Sequence, residues 1–311
     1  MNIPITQSEA WQKLQEALGE KTIFKQEKAF QYLAIVKSTP VGNYFYCPYG
    51  PVAEDAKSFK AALESLKKDA KSVNAIFIRV EPFEANFAKY LPKNTKKTID
   101  LNPKETWILD LTGNADDVKA KLPSRLLRYH KSAEKKGIII EKSHQPSDIK
   151  HLLKLQSALA EKKGINTFSE KYLATELEQP FSTLYLVKYQ NPESNQMEIV
   201  AAGLVFDDET TRYNLQGAQS DTGRSLHATG ILTIQLILDA KEKGLKQFDF
   251  WGIAPENAPK NHPWAGFTNF KKTFAGTEFD HAGTFDLVLN PVKYKLYQAT
   301  RKINRIMRRT K

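Results

Sequence analysis

Lys271 is the residue whose neighbours in the chain point most directly to chemistry. It lies in Phe267-Thr268-Asn269-Phe270-Lys271-Lys272-Thr273-Phe274-Ala275-Gly276, where Phe270 and Phe274 argue against full exposure. When a nucleophile attacks a carbonyl, negative charge grows on the carbonyl oxygen. A cation fixed beside that oxygen lowers the barrier by about 3–4 kcal/mol when well placed. The plain alternative is one more surface lysine. Arg224 stands just ahead of a stretch that reads as a helix from about Leu226, and an arginine near a helix start suits a phosphate. A third cluster, Arg125, Arg128, Lys131 and Lys135, belongs to a basic helix expected over 124–136. Its charges either contact nucleic-acid phosphates or form a solvated face.

Several chemistries are disfavoured. The single cysteine, Cys47, allows neither an internal disulfide nor a cysteine-based zinc site. The six histidines show no H-x-x-x-H or H-E-x-x-H spacing, so no metal is expected. No Ser-His-Asp arrangement and no G-x-x-x-x-G-K-[ST] loop can be read. Asp110, Asp207, Asp249 and Glu256 qualify as general bases by residue type alone, and Asp249 reads better as fixing the turn after its strand. Substrate-assisted proton transfer would need no enzymic base.

The elements that must position these groups follow from periodicity. A short helix begins after Ser8 with Trp11, Leu14 and Leu18 on one face. Extended stretches at 33–36 and 44–46 lead into the turn Pro48-Tyr49-Gly50-Pro51. A helix over 55–71, with Phe59, Ala62, Leu63 and Leu66 at helical spacing, precedes a strand at 75–80. A strand at 106–111 is followed by the basic helix, which Gly137 stops before a strand at 138–140. Then come a helix near 148–163, strands at 183–189, 199–206 and 212–216, a helix at 226–243 and a strand at 247–250. The helix–strand order of 55–80 recurs at 226–250, which predicts two similar α+β units in tandem. The tail from Asn290 reads as a basic helix with apolar Leu296, Ile303 and Ile306, serving to dock, to contact tRNA or to adhere to anionic lipid headgroups.

Four stretches in order resemble the FemABX peptidoglycan aminoacyltransferases. They are Tyr46-Cys47-Pro48-Tyr49-Gly50-Pro51-Val52, the basic run 125–137, Gly217–Ser220 through Arg224 to Phe248-Asp249-Phe250-Trp251-Gly252-Ile253, and the segment 267–276 with 283–291 after it. The resemblance implies a mixed α+β chain of two tandem GNAT-like domains. One spans 1–142 and binds the acceptor muropeptide, completed by a C-terminal helix (290–311) that returns to it. The other spans 143–289 and carries the aminoacyl-tRNA side and the lysine segment. It also implies transfer of an amino acid from aminoacyl-tRNA to the stem-peptide amine of a UDP-linked or lipid-linked muropeptide, without a dissociable cofactor. Lys271, beside Phe270, falls at the family's oxyanion-stabilising lysine, and Arg224 at its phosphate-contacting arginine. Tyr46 and Tyr49 would line the acceptor channel. Gln7-Ser8-Glu9-Ala10-Trp11 fits the family's Q-S-x-x-W. The pyrophosphate-contacting lysine that should follow is replaced by Gln15, with Lys13 nearby, and the turn's common arginine is Tyr49. Both changes remove positive charge from the implied acceptor site.

Two other classes compete. An acyl-CoA N-acyltransferase would cradle a pyrophosphate with R-x-x-G-x-[GA], but counting from Arg224 the small-residue slots hold His227 and Thr229. A non-enzymatic RNA-binding protein would account for the net charge of +11 but not for the lysine segment. No apolar run reaches the roughly 18–20 residues of a membrane span, and the N-terminus lacks a signal-peptide pattern. A cytoplasmic protein is therefore expected, with peripheral contact at the inner membrane face as one use of the tail.

Overall fold

The computed structural model describes residues 1, 3–163, 167–259, 261–262 and 264–307. In chain order the elements are α1 (Glu9–Ala17), β1 (Lys21–Gln26), β2 (Phe30–Thr39), β3 (Gly42–Cys47), β4 (Val52–Ala53), α2 (Ala56–Ser72), β5 (Phe77–Val80), β6 (Lys96–Lys97) and β7 (Glu105–Asp110). They continue with α3 (Ala115–Ala120), α4 (Ser124–Lys131), β8 (Ile138–Ser143), α5 (Ile149–Lys163), α6 (Glu170–Leu177), β9 (Ser182–Gln190), β10 (Met197–Asp207) and β11 (Thr211–Gln219). The last are α7 (Asp221–Ser225), α8 (Ala228–Glu242), β12 (Gln247–Gly252), α9 (Ala265–Lys271), β13 (Thr277–Asp280), β14 (Phe285–Val288) and α10 (Pro291–Met307).

The chain divides into two compact units, 1–104 with 280–311, and 105–279. The boundary therefore departs from the one read in the sequence. Residues 105–142 belong to the second unit because β7 pairs with β12 and β8 pairs with β9. Residues 280–289 belong to the first because β14 pairs with β5. Local pattern could not reveal these pairings, since each joins segments far apart in the chain.

Each unit holds a seven-stranded sheet, ordered β1-β2-β3-β5-β14-β6 with β4 on β2, and β13-β7-β12-β11-β10-β9-β8. The predicted repetition is present in detail. In the first unit an antiparallel run β1-β2-β3 crosses through α2 to β5, parallel to β3. In the second, β8-β9-β10-β11 crosses through α8 to β12, parallel to β11. Parallel neighbours need such a crossover, and the helix buries its apolar face on the sheet. Phe59, Leu63 and Leu66 of α2 do so in the first core, and Ile231, Ile234 and Ile237 of α8 in the second.

The tail forms α10, which groups with the first unit. Its docking residues differ from those expected. Tyr294 and Tyr297 are buried against Phe77 and Tyr44, whereas Leu296 and Ile303 are exposed. Tyr294 Oη also donates to Asp286 at 2.9 Å, and Asp286 makes a buried bidentate pair with Arg79 (2.7 and 2.8 Å). Aromatic residues carry both burial and a polar handle, which periodicity of aliphatic residues alone does not register. The side chain of Ile306 lies outside the described residues.

Candidate active site

The second sheet opens at its middle. β11 and β12 pair in parallel only over Thr211–Tyr213 and Gln247–Asp249. Beyond that point β11 stays on β10 as far as Gln219, while β12 stays on β7. Asp249 therefore sits where two parallel strands diverge, at the end of an α/β-type sheet where ligands usually bind.

β12 is also bulged there. Its register on β7 slips between Asp249, opposite Ile108, and Gly252, opposite Thr106, so β12 carries one extra residue. Trp251 takes a left-handed conformation (φ 66°), and its amide donates to Asp249 Oδ1 at 2.7 Å. The expected turn-fixing role of Asp249 is thus observed. The freed Gly252 carbonyl accepts from Lys271 Nζ at 2.6 Å. Lys271 ends α9, which is held by Thr268 Oγ1 accepting from Ala254 N at 2.8 Å and by Phe270 edge-on to Phe274. Phe274 packs on Phe250 of β12, and its carbonyl accepts from Trp107 Nε1 at 3.2 Å. Gly276 lies so close to β7 that a Cβ there would be 2.6 Å from the Ile108 carbonyl oxygen. The sequence segment 267–276 thus works as a clamp that sets one ammonium against one bulge.

Burial governs the charges of this pair. It pushes the Lys271 ammonium down to about 8, with the Asp249 carboxylate opposing the shift. It pushes Asp249 up to about 7, opposed by the Trp251 amide and by Lys271. Both groups titrate near neutrality, an arrangement common where proton or charge transfer occurs.

The other carboxylates considered as bases are occupied or remote from such chemistry. Asp207 pairs bidentately with the buried Arg212 (2.7 and 2.6 Å) and with Lys243, which outweigh its burial and lower it. Asp110 is held down to about 2 by Thr112 and Lys121. Glu256 is exposed in the connection before α9. Lys260 and Pro263 of that connection lie outside the described residues.

Arg224 is exposed on the short α7, between β11 and α8. The helix expected from Leu226 is interrupted by His227, left-handed at φ 56°, and α8 begins after it. Because β11 and β12 run parallel, the Arg224 and Lys271 connections both lie past the same end of the sheet. The basic run 125–137 is α4, a short turn at Glu134–Lys136 and a left-handed Gly137. Arg125, Arg128, Lys131 and Lys135 are all exposed. Within this run Tyr129 stacks on His227 (centroids 4.7 Å, 10° between planes), and Arg125 and Lys136 lie over its ring. Sequence reasoning missed this aromatic pair, because its members stand about a hundred positions apart.

In the first unit the acceptor-side candidates are tied into the scaffold. Tyr46 donates to Glu81 Oε2 at 2.9 Å, and Asn102 Nδ2 donates to both. Glu81, also missed, is buried and accepts further from Thr284 Oγ1 and the amides of Leu101 and Asn102. Tyr49 is buried with a left-handed backbone and donates to the Pro103 carbonyl. The Q-S-x-x-W and Y-x-P-x-G-P stretches meet. The buried Gln7 amide donates to Pro48 O at 2.6 Å and accepts from Leu33 N at 2.8 Å, while Ser8 caps α1. A Cβ at Gly50 would lie 2.4 Å from that amide, so glycine is required there. On α1, Gln15 is buried and Lys13 exposed. Among the described residues no cluster of three or more His, Cys, Asp or Glu could hold a metal ion. No described helix is long and apolar enough to cross a membrane.

Known structures share this architecture. FemX superposes with a TM-score of 0.78 over 94% of each chain at 19% identity. The C-terminal domain of a putative lysylphosphatidylglycerol synthetase from Agrobacterium fabrum gives 0.60 at 16% identity, covering 94% of this chain and 91% of that one. L-PGS from Bacillus licheniformis gives 0.57 at 15%, covering 98% and 99%. At these identities the likeness is one of fold, a mixed α+β fold of two similar units. Residues 176–302, which include the bulge and the lysine clamp, match the FemAB family. The likeness of this chain to Fem-type proteins rests on that segment and on the shared fold. No curated protein matches it.

Proposed function

We propose that this chain is an aminoacyltransferase that moves an amino acid from aminoacyl-tRNA to the stem-peptide amine of a peptidoglycan precursor, lipid-linked or UDP-linked. The observation that carries the reading is Lys271, a half-buried ammonium anchored on the Gly252 carbonyl where the sheet divides. The acceptor amine attacks the ester carbonyl, a C–N bond forms, and the carbonyl oxygen becomes an oxyanion beside Lys271. The ester C–O bond then breaks, and the proton lost by the amine ends on the departing ribose oxygen. Lys271 stabilises the oxyanion. Phe270 and Phe274 keep water from the ammonium, which strengthens its field. Asp249 sustains the charge of Lys271 and shapes the bulge.

In this reading the second unit receives the donor. The exposed Arg125, Arg128, Lys131 and Lys135 suit the phosphates of a tRNA acceptor stem, and the Tyr129–His227 pair suits an unpaired base. Arg224 contacts an acceptor phosphate. The first unit binds the muropeptide, with Tyr46, Tyr49, Gln15 and Lys13 near or behind its surface. No dissociable cofactor takes part.

The test combines purified protein, tRNA charged with a labelled amino-acid mixture, and a muropeptide in soluble and lipid-linked forms, with mass spectrometry of products. A gain of one aminoacyl residue that vanishes with uncharged tRNA is expected. Since one neighbour of similar fold is named as a putative lysylphosphatidylglycerol synthetase, phosphatidylglycerol belongs among the acceptors tested. Modification of that lipid alone, or turnover with acyl-CoA instead of tRNA, would overturn the reading.

A further inference from the structure

The outward face of α10 is the opposite of what a soluble surface helix needs. Tyr294 and Tyr297 hold the helix down on Phe77 and Tyr44. Facing away from them, Val292, Leu296 and Ile303 are 79%, 58% and 56% exposed. With the exposed Ala299 they stand at i, i+4, i+7 and i+11, which at 3.6 residues per turn confines them to an arc of about 60°. A helix docked only by its aromatic face would carry polar residues here.

The charges beside the stripe say what it meets. Exposed Lys293 flanks it on one side, and exposed Lys295 and Lys302 on the other. No acidic residue occurs anywhere in 290–311. A row of aliphatic side chains bordered on both sides by lysines matches the boundary between acyl chains and anionic headgroups. A nucleic-acid surface would use the lysines but leave the aliphatic row in water. A second copy of this chain would bring lysines against lysines.

We propose that α10 lies flat on an anionic membrane surface, inserting Val292, Leu296, Ala299 and Ile303 among the acyl chains while Lys293, Lys295 and Lys302 pair with lipid phosphates. The helix docks the enzyme without spanning the bilayer. This proposal stands apart from the transfer reaction, because it rests on no residue near Lys271.

Flotation of the full chain with phosphatidylcholine vesicles, with and without one quarter phosphatidylglycerol, tests it. The wild type should float with the anionic vesicles, weakly with neutral ones, and less as salt rises. Leu296→Glu with Ile303→Glu should lower the partition coefficient about tenfold or more. Lys293→Gln, Lys295→Gln and Lys302→Gln together should lower it about a hundredfold, near fivefold for each. Both variants change exposed residues and should keep the wild-type melting temperature. Equal binding to neutral vesicles, or unchanged flotation in both variants, would overturn the proposal. So would an α10 that drives only tRNA binding, or only self-association by light scattering, without flotation.

Discussion

Asp249→Asn is the most informative single change, because it alters the charge of the clamp while keeping its shape. The asparagine amide oxygen can still accept from Trp251 N, so the bulge should persist. Burial holds Lys271 at about 8 instead of the ordinary 10.5, a disfavour of about 3 kcal/mol for its charged form. A similar amount, about 3–4 kcal/mol, is what an oxyanion-stabilising group contributes. The ammonium is thus poorly solvated until the transition state supplies its counter-charge. The catalytic form is protonated, so kcat should fall as pH rises through about 8. Asp249 raises Lys271, so in the asparagine variant the alkaline limb should move below 8. Turnover at pH 6 should stay near wild type while turnover at pH 8 drops. Stability should move the other way. Asp249 is raised to about 7 in the folded chain, so the wild type loses stability as pH climbs from about 4 to 7. The variant escapes that loss, worth roughly 4 kcal/mol at most. Single-turnover rates and urea unfolding, each against pH, read both effects. Coincident alkaline limbs in the two proteins would refute the assigned coupling.

Other outcomes follow from the same geometry. Lys271→Ala should lower kcat by about 10²–10³-fold with little change in melting temperature, measured on the purified variant by product mass and circular dichroism. Asp286→Ala should destabilise the first unit by about 3–5 kcal/mol, because it strands the buried Arg79 guanidinium; urea unfolding checks this. Gly50→Ala should destabilise by about 1–3 kcal/mol through collision with the Gln7 amide, again read by unfolding. Tyr129→Ala should weaken tRNA binding about tenfold if the Tyr129–His227 pair stacks a base, measured by filter binding at fixed salt.

How much of this was legible in the sequence depends on the range of each interaction. The helix–strand repeat at 55–80 and 226–250 was visible because amphipathic spacing is local. The clamp segment was visible because Phe270, Lys271 and Phe274 are neighbours in the chain. The unit boundary was not, since the place of β7 is set by its pairing with β12, more than a hundred residues away. Trp251 gave no signal, because a left-handed tryptophan follows from the bulge and not from residue preference. The apolar residues of α10 were legible as a stripe, but its direction was not. Tyr294 and Tyr297 decide that direction, and their partners Tyr44 and Phe77 lie at the other end of the chain.

The two repeats differ in a way that favours the second unit for the proposed chemistry. Both cross from an antiparallel run through a helix to a parallel strand. In the first unit the parallel pair stays closed to its ends, with Cys47 opposite Val80 and Glu81 N donating to the Cys47 and Gly50 carbonyls. Beyond those ends Glu81 is saturated by donors from Tyr46, Asn102 and Thr284. Glu81 is thus committed to the scaffold. In the second unit the equivalent pair parts after Asp249, β12 bulges on its β7 side, and an ammonium is drawn in against a single carbonyl. A closed sheet spends its polar groups on itself, whereas a divided one leaves donors directed at a gap. Removing the bulge that holds the Gly252 carbonyl against Lys271 should likewise abolish activity while raising stability. Deleting Trp251 removes the extra residue of the bulge and lets β12 pair continuously with β7. A protein that unfolds at higher urea but no longer transfers an aminoacyl group is the expected result. Retained turnover in that deletion would show that the bulge is incidental to catalysis.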